Sequence, residues 1–329
     1  MYKLYKLIFF TTLVSSTLMI SSSISWLTAW MGLEMNLLSI LPLMKEKNKL
    51  SSEASIKYFI VQAMASAILI LSVITYAYLK TNLTLGPTAI NSALLMKLGA
   101  APFHFWFPEV MSGLTWNMNL LMLTWQKIGP MILLTYSPSE WLSILSVCLS
   151  SLISGVQGLN QTCLRKILSY SSINHMGWMI STTLVSSNLW TIYFSIYSLI
   201  TLNLVIILKS SKSFFLPQLL KLLSKNKKTK FLFMMNLLSL GGMPPFLGFV
   251  PKWISLNFMV SNQMTSIAIL LIMFTLLSLF IYTRIMFTGT LLKTSETLIS
   301  SWNQNKFFLF YINFINLFSL MISLMVEMN

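Results

Sequence analysis

Apolar stretches long enough to cross a bilayer follow one another along nearly the whole of this 329-residue chain. They fall at about 4–24, 26–44, 56–79, 88–112, 115–136, 141–160, 167–187, 189–208, 231–258, 264–287 and 307–327. Each matches the ~20 apolar residues that a helix needs to span hydrocarbon. Lipid offers no hydrogen bonds to the backbone, so only helices and closed barrels can span it. Barrel strands would alternate apolar and polar residues over ~10 positions, and these runs do not. Charged residues make up 9% of the chain, against about 25% in soluble domains, so most of the surface cannot face water. The chain is read as an all-α polytopic membrane protein of eleven transmembrane helices. The opening MYKLYKLIFFTTLVSSTLMI has no small-residue cleavage site, so its helix is expected to be retained.

The formal charge of +15 is distributed in one sense. With eleven spans and alternating loops, one side receives Lys3, Lys6, Lys45, Lys47, Lys49, Lys57, Arg165, Lys166, Lys209, Lys212, the 221–230 run, Arg284, Lys293 and Lys306. The other side receives Lys80. Segregation of this kind obeys the positive-inside rule and puts the N-terminus on the cytoplasmic or mitochondrial-matrix side. The SKNKKTK run is read as such a loop rather than as a nucleic-acid patch.

A short internal repeat lies inside two of the stretches. Residues 98–109 read LGAAPFHFWFPE and residues 241–252 read GGMPPFLGFVPK, with Gly99/Gly242, Pro102/Pro245, Phe103/Phe246 and Pro108/Pro251 at a constant offset of 143. Pro244 precedes the second proline. Proline removes a backbone donor and clashes with the preceding turn, so both helices are expected to break there. Five helices separate the copies, and an odd offset makes the two units run through the membrane in opposite directions. That is the inverted-repeat plan of transporters, whose interrupted helices mark the ion path. The chain is accordingly divided into a first five-helix unit, 1–136, an inverted unit, 137–288, and a connecting loop with a C-terminal helix, 289–329, within one membrane domain.

Four ionisable residues fall within the helices: Glu34, Lys97, Lys127 and Lys252. His104, Glu109 and His175 also fall within the apolar stretches, at a depth that the sequence leaves open. Insertion scales charge ~2.5–3.5 kcal/mol for each charge at mid-bilayer, so four in isolation cost about 10–14 kcal/mol. That is comparable to the whole stability of a domain, so such groups need pairing, water or a function. A Glu34–Lys97 pair that opens and closes would switch the proton affinity of Lys127, and lysines bridged by water can pass protons. The competing readings are a purely structural ion pair and, for Glu109 and Lys252, snorkelling from a helix end. Packing or a polar hydrogen bond is expected of His104, and contact with an aqueous path of His175.

Other chemistry lacks its residues. Two histidines without a supporting motif make a poor haem pair, and Cys148 and Cys163 can hold neither an iron–sulfur cluster nor a zinc ion. No phosphate-binding glycine loop is present. The chain is expected to carry no redox cofactor and no metal, and to bind no nucleic acid.

The segments SWLTAWMGLEMNLLSILPL, LLMKLGAAPFHFWFPEV, LTWQKIGP, GLNQTCLRKILSYSSINHMGWM and LSLGGMPPFLGFVPKW together resemble the antiporter-like membrane subunits of NADH:ubiquinone oxidoreductase, respiratory complex I, in their short animal mitochondrial form. The resemblance runs from about residue 25 to residue 285. It implies a proton-pumping subunit of the membrane arm in the mitochondrial inner membrane, with its N-terminus in the matrix. Glu34 and Lys97 would be the switchable pair, Lys127 the central relay and Lys252 the outer relay, with His175 beside them. It implies other membrane-arm subunits and phospholipids as partners, with FMN, iron–sulfur clusters and ubiquinone used elsewhere in the complex. The full fold of such subunits has fourteen helices, of which the first three are expected to be missing here. Two rivals stand: a free-standing cation/proton antiporter, and a structural membrane subunit whose charges merely pair.

Overall fold

The computed structural model describes residues 2–46, 48–78, 85–223 and 227–291. The described residues form fourteen helices and no strand beyond one isolated bridge. They are α1 (Tyr2–Ser21), α2 (Trp26–Met44), α3 (Lys49–Tyr78), α4 (Leu85–Leu98), α5 (Trp106–Gly113), α6 (Trp116–Leu123), α7 (Trp125–Tyr136), α8 (Glu140–Gly158), α9 (Leu164–Val185), α10 (Ser187–Ser211), α11 (Leu216–Leu223), α12 (Lys227–Gly241), α13 (Phe249–Ser261) and α14 (Thr265–Leu291). Six of them, α1, α2, α3, α8, α10 and α14, are long and apolar enough to cross a membrane alone. The expected stretch 307–327 lies outside the described residues.

Serine and threonine are tolerated in these helices because their hydroxyls turn back onto the preceding turn. Ser16, Ser39 and Ser146 donate to the carbonyls of Leu13, Asn36 and Ser143. A hydroxyl satisfied inside its own helix asks nothing of the lipid.

The chain forms two compact units, Met1–Ser150 and Ser151–Asn329, with the division inside α8. In the first unit α1 packs on α2 and α7, and α3 packs on α2, α4 and α5. In the second, α9 meets α10, α13 and α14, and α12 lies between α10 and α14.

Each unit contains a helix that stops and restarts, at the two repeat segments. Gly99 and Gly242 take positive φ, 71° and 78°. The Ala100 amide donates to Leu95 O at 3.1 Å and the Gly99 amide to Met96 O at 3.2 Å. At the offset of 143, the Met243 amide donates to Leu238 O at 3.3 Å and the Gly242 amide to Ser239 O at 3.0 Å. This is one Schellman cap built twice, and it needs glycine where φ is positive. Pro102, Pro244 and Pro245 then keep the chain from resuming the helix. Pro108 and Pro251, expected to break helices, instead stand in the first turns of α5 and α13, where a missing N–H has no partner to lose.

Two further departures from expectation have local causes. The stretch 115–136 is divided at Thr124, whose backbone turns to φ −115° and ψ −75° between α6 and α7. Pro130, six residues on, also deprives Gln126 O of its helical donor. The connection after α10 is not all loop, since α11 lies within it. Its start pairs with the connection before α9: the Leu164 amide donates to Phe214 O at 2.9 Å and the Leu216 amide to Thr162 O at 3.1 Å. The Arg165 guanidinium lies 4.5 Å from the Phe214 ring centre. The connections before α9 and after α10 therefore lie at the same end of their unit.

Candidate functional site

In the first unit Glu34 on α2 meets Lys97, which stands in the last turn of α4. The carboxylate oxygen and the amine are 3.9 Å apart; the lysine side chain is 3% exposed and the glutamate 26%. A cation there also complements the carbonyl end of α4. The Lys97 carbonyl, left without a helical partner by the break, accepts from Gln62 Nε2 at 3.1 Å. Trp106 Nε1 likewise reaches Met96 O at 3.2 Å. The break thus leaves an ion pair in a pocket whose backbone is tied down by side chains.

Lys127 is buried on α7, just past the interruption at Thr124. Its amine lies 5.7 Å from the centre of the Phe107 ring, within reach of a cation–π contact. Beside it runs a hydrogen-bonded chain that the sequence reading missed. Tyr58 Oη on α3 donates to Gln126 Oε1 at 3.3 Å, and Gln126 Nε2 donates to Asn36 Oδ1 on α2 at 3.0 Å. The available signal was two amides in apolar runs, Asn36 two residues after Glu34 and Gln126 next to Lys127.

Lys252 of the second unit lies buried on α13, and its amine donates to Gly241 O at 2.8 Å. It therefore folds back over the cap of α12 and satisfies an orphan carbonyl at that helix end. Glycine at 242 makes room: a Cβ there would come within 2.8 Å of the lysine's Cδ and Nζ.

His175 sits on α9, a 22-residue helix buried along nearly its whole length although it carries Ser169, Ser171, Ser172, Asn174, Ser181 and Thr182. A helix this polar does not survive in lipid, so the rest of its unit encloses it. His175 Nδ1 is hydrogen-bonded to Tyr193 Oη at 3.0 Å, and its ring packs against Tyr197 at 4.9 Å between centres. Asn174 Nδ2 donates to Ser278 Oγ at 3.1 Å. The tyrosines, too, were not singled out in the sequence.

The remaining candidates divide. His104 is buried, with Nδ1 3.3 Å from Pro102 O and its ring against Phe105. Glu109 is exposed and ion-paired with Lys57 at 2.6 Å, both side chains being about half exposed at 53% and 55%. Among the described residues no three His, Cys, Asp or Glu side chains cluster to hold a metal ion.

Two buried amides stand apart. Asn119 on α6 is 0% exposed and Asn203 on α10 is 1% exposed. Among the described residues neither end of either amide has a hydrogen-bond partner. Burying such a group without compensation costs ~2–7 kcal/mol, depending on the reference state.

The arrangement supplies buried groups that can gain and lose a proton: Lys97 in an ion pair with Glu34, Lys127 against the Phe107 ring, and Lys252 and His175 hydrogen-bonded to Gly241 O and Tyr193 Oη. Comparison with known proteins then defines its class. The fold matches a chain of respiratory complex I from Thermus thermophilus with a TM-score of 0.86 at 21% identity, covering 98% of this chain and 79% of that one. A chain of an archaeal membrane-bound sulfane sulfur reductase matches with a TM-score of 0.82 at 13% identity, over 96% and 72%. A chain of the Mrp complex from a Dietzia species matches at 0.70 and 16% identity, over 84% and 58%. This is an all-helical membrane protein with the antiporter-like fold of complex I membrane subunits.

The family model described as NADH:quinone oxidoreductase/Mrp antiporter, TM matches residues 23–280. NADH-ubiquinone oxidoreductase chain 2 of Locusta migratoria is 43% identical over 90% of this chain and 88% of its own length. The chain 2 proteins of Anopheles gambiae and Aedes aegypti are 44% and 41% identical, over 92% and 98% of this chain and 90% and 98% of theirs. The chain belongs to the NADH-ubiquinone oxidoreductase chain 2 family.

Proposed function

We propose that this chain is a proton-translocating subunit of the membrane arm of complex I in the mitochondrial inner membrane, with its N-terminus in the matrix. NADH oxidation and ubiquinone reduction occur on other subunits and drive proton transfer here through buried lysine, glutamate and water. One observation carries the reading: each of the three lysines buried among the described residues stands at a helix interruption. Lys97 ends α4, Lys127 follows Thr124, and Lys252 folds back onto the end of α12. Interrupted helices are where membrane proteins place ion paths, because backbone and charge both need water or a polar partner there.

In this reading Glu34 and Lys97 form the pair that opens and closes, Lys127 and Lys252 relay the proton, and His175 takes part through its tyrosines. The reading includes eleven spans in two inverted five-helix repeats with a C-terminal helix, supported by the duplicated cap at 95–100 and 238–243. Its partners are other membrane-arm subunits and phospholipids. FMN and iron–sulfur clusters do not fit the residues present, since two cysteines and no phosphate-binding glycine turn cannot hold them. The reading therefore assigns no redox step to this chain. A free-standing cation antiporter is disfavoured by the chemistry of the charges. Hard cations prefer carboxylates, and this sequence has no aspartate and one glutamate deep in a span.

The first test is native-gel separation of gently solubilised source membranes, with this chain located by mass spectrometry and NADH dehydrogenase activity stained. Co-migration with a very large active band is expected. Recovery only as a small inactive species would overturn the assignment. The second test is Lys127→Ala in assembled enzyme, which should lower proton pumping while NADH dehydrogenation continues. Unchanged pumping would favour a structural role for the charges.

A further inference from the structure

We infer that Asn119 and Asn203 each hold an ordered water molecule between the basic side of the membrane and a buried lysine of their unit, Lys127 in the first and Lys252 in the second. The inference rests on the proton-translocation reading and extends it by naming two residues of the hydrated route.

The chemistry of the site selects the ligand. A carboxamide presents an acceptor and two donors, and here both ends are buried without a partner among the described residues. At 0% and 1% exposure neither side chain can be reached by a lipid headgroup or by a neighbouring subunit. A metal ion would use the oxygen and leave the Nδ2 donors unmet. Water satisfies both ends, and buried waters typically make about three hydrogen bonds to otherwise unsatisfied groups.

Position gives the water its use. Asn119 lies on α6, eight residues before Lys127, with the interruption at Thr124 between them. The start of α6 is on the basic side: Thr115 Oγ1 donates to Glu46 Oε1 at 3.1 Å, and a Cβ at Gly113 would lie 2.5 Å from Leu50 O in the first turn of α3, which begins at Lys49. In the second unit Asn203 stands eight residues, ~12 Å, before the end of α10 at Ser211, where Lys209 and Lys212 mark the basic side. Six residues earlier on α10 is Tyr197, which packs on His175. Three residues earlier is Ile200, whose Cδ1 is 3.4 Å from the Cβ position of Gly248, at the start of the helix bearing Lys252. Each amide is thus between the basic surface and the lysine, where a proton from that side would have to pass.

The test uses the intact complex. Electron cryo-microscopy at a resolution that shows waters should reveal density 2.7–3.2 Å from both Oδ1 and Nδ2 of Asn203. A dry amide, or one satisfied wholly by protein atoms, would overturn the inference. Asn203→Leu, close in volume but unable to hold water, should slow NADH-driven proton pumping about ten-fold, less than the ~10²–10⁴-fold contributed by a side chain that itself transfers the proton. Asn203→Ser, which keeps a polar group and leaves room for water, should retain it. Wild-type pumping in Asn203→Leu alongside a loss in Lys252→Met would sink the water route and leave the proton-translocation reading standing. Normal pumping in Lys252→Met would instead sink that reading, and the density would then decide whether the amides hold water at all.

Discussion

The two broken helices share a backbone and differ in what it carries. Both end in the same glycine cap, with matched hydrogen bonds at 95–100 and 238–243. At the matched position after the break the first has Glu109 and the second Lys252. Glu109 turns outward to an exposed pair with Lys57, whereas Lys252 turns inward onto Gly241 O. At its break the first unit holds a buried lysine before the cap instead, as Lys97 with Glu34. One backbone device therefore serves two charge arrangements, because a cap frees carbonyls without dictating which side chain answers them.

This contrast can be broken most severely at Gly248. A Cβ there would lie 1.7 Å from Ser239 O, a backbone atom with little room to yield. Gly248→Ala should cost upwards of ~3 kcal/mol and deplete the assembled complex on native gels. Phe105→Ala, at the matched position of the first break, removes an exposed ring and should leave assembly intact. A smaller effect is expected from Gln126→Leu, which breaks the link from Tyr58 to Asn36 and should cost ~1–3 kcal/mol in thermal stability.

The glycines separate the units further. Gly99→Ala strains a positive φ and should cost about 1–2 kcal/mol, with coupling preserved. Gly242→Ala carries the same strain and also displaces the Lys252 amine, so pumping should fall with it. The smallest effect belongs to Glu109→Gln. Its pair is exposed and screened by salt, so stability and pumping should both stay within measurement scatter.

Much of this was legible in the residues. The span-length runs marked the helices, since apolar length is read directly, and the G-x-x-P-F repeat marked both breaks, since glycine and proline act locally. The cost of burying a charge alone called for partners, and the family resemblance named Glu34 and Lys97 as a pair. The break at Thr124 was hidden because no glycine stands there and the proline is six residues away. The helix α11 was hidden inside a basic connection whose charge suggested loop. The partners of His175 came from α10, and no local spacing announces which tyrosine of a neighbouring helix turns inward. Nor did the prolines at 108 and 251 distinguish starting a helix from breaking one; that depends on the glycine upstream.

The most direct measurement is the proton-to-electron ratio of assembled enzyme carrying Lys252→Met beside enzyme carrying Glu109→Gln. A lowered ratio or stalled turnover in the first, with a wild-type ratio in the second, is the predicted result. Equal ratios in both would contradict it, and would make the inward lysine, like the outward glutamate, a structural charge.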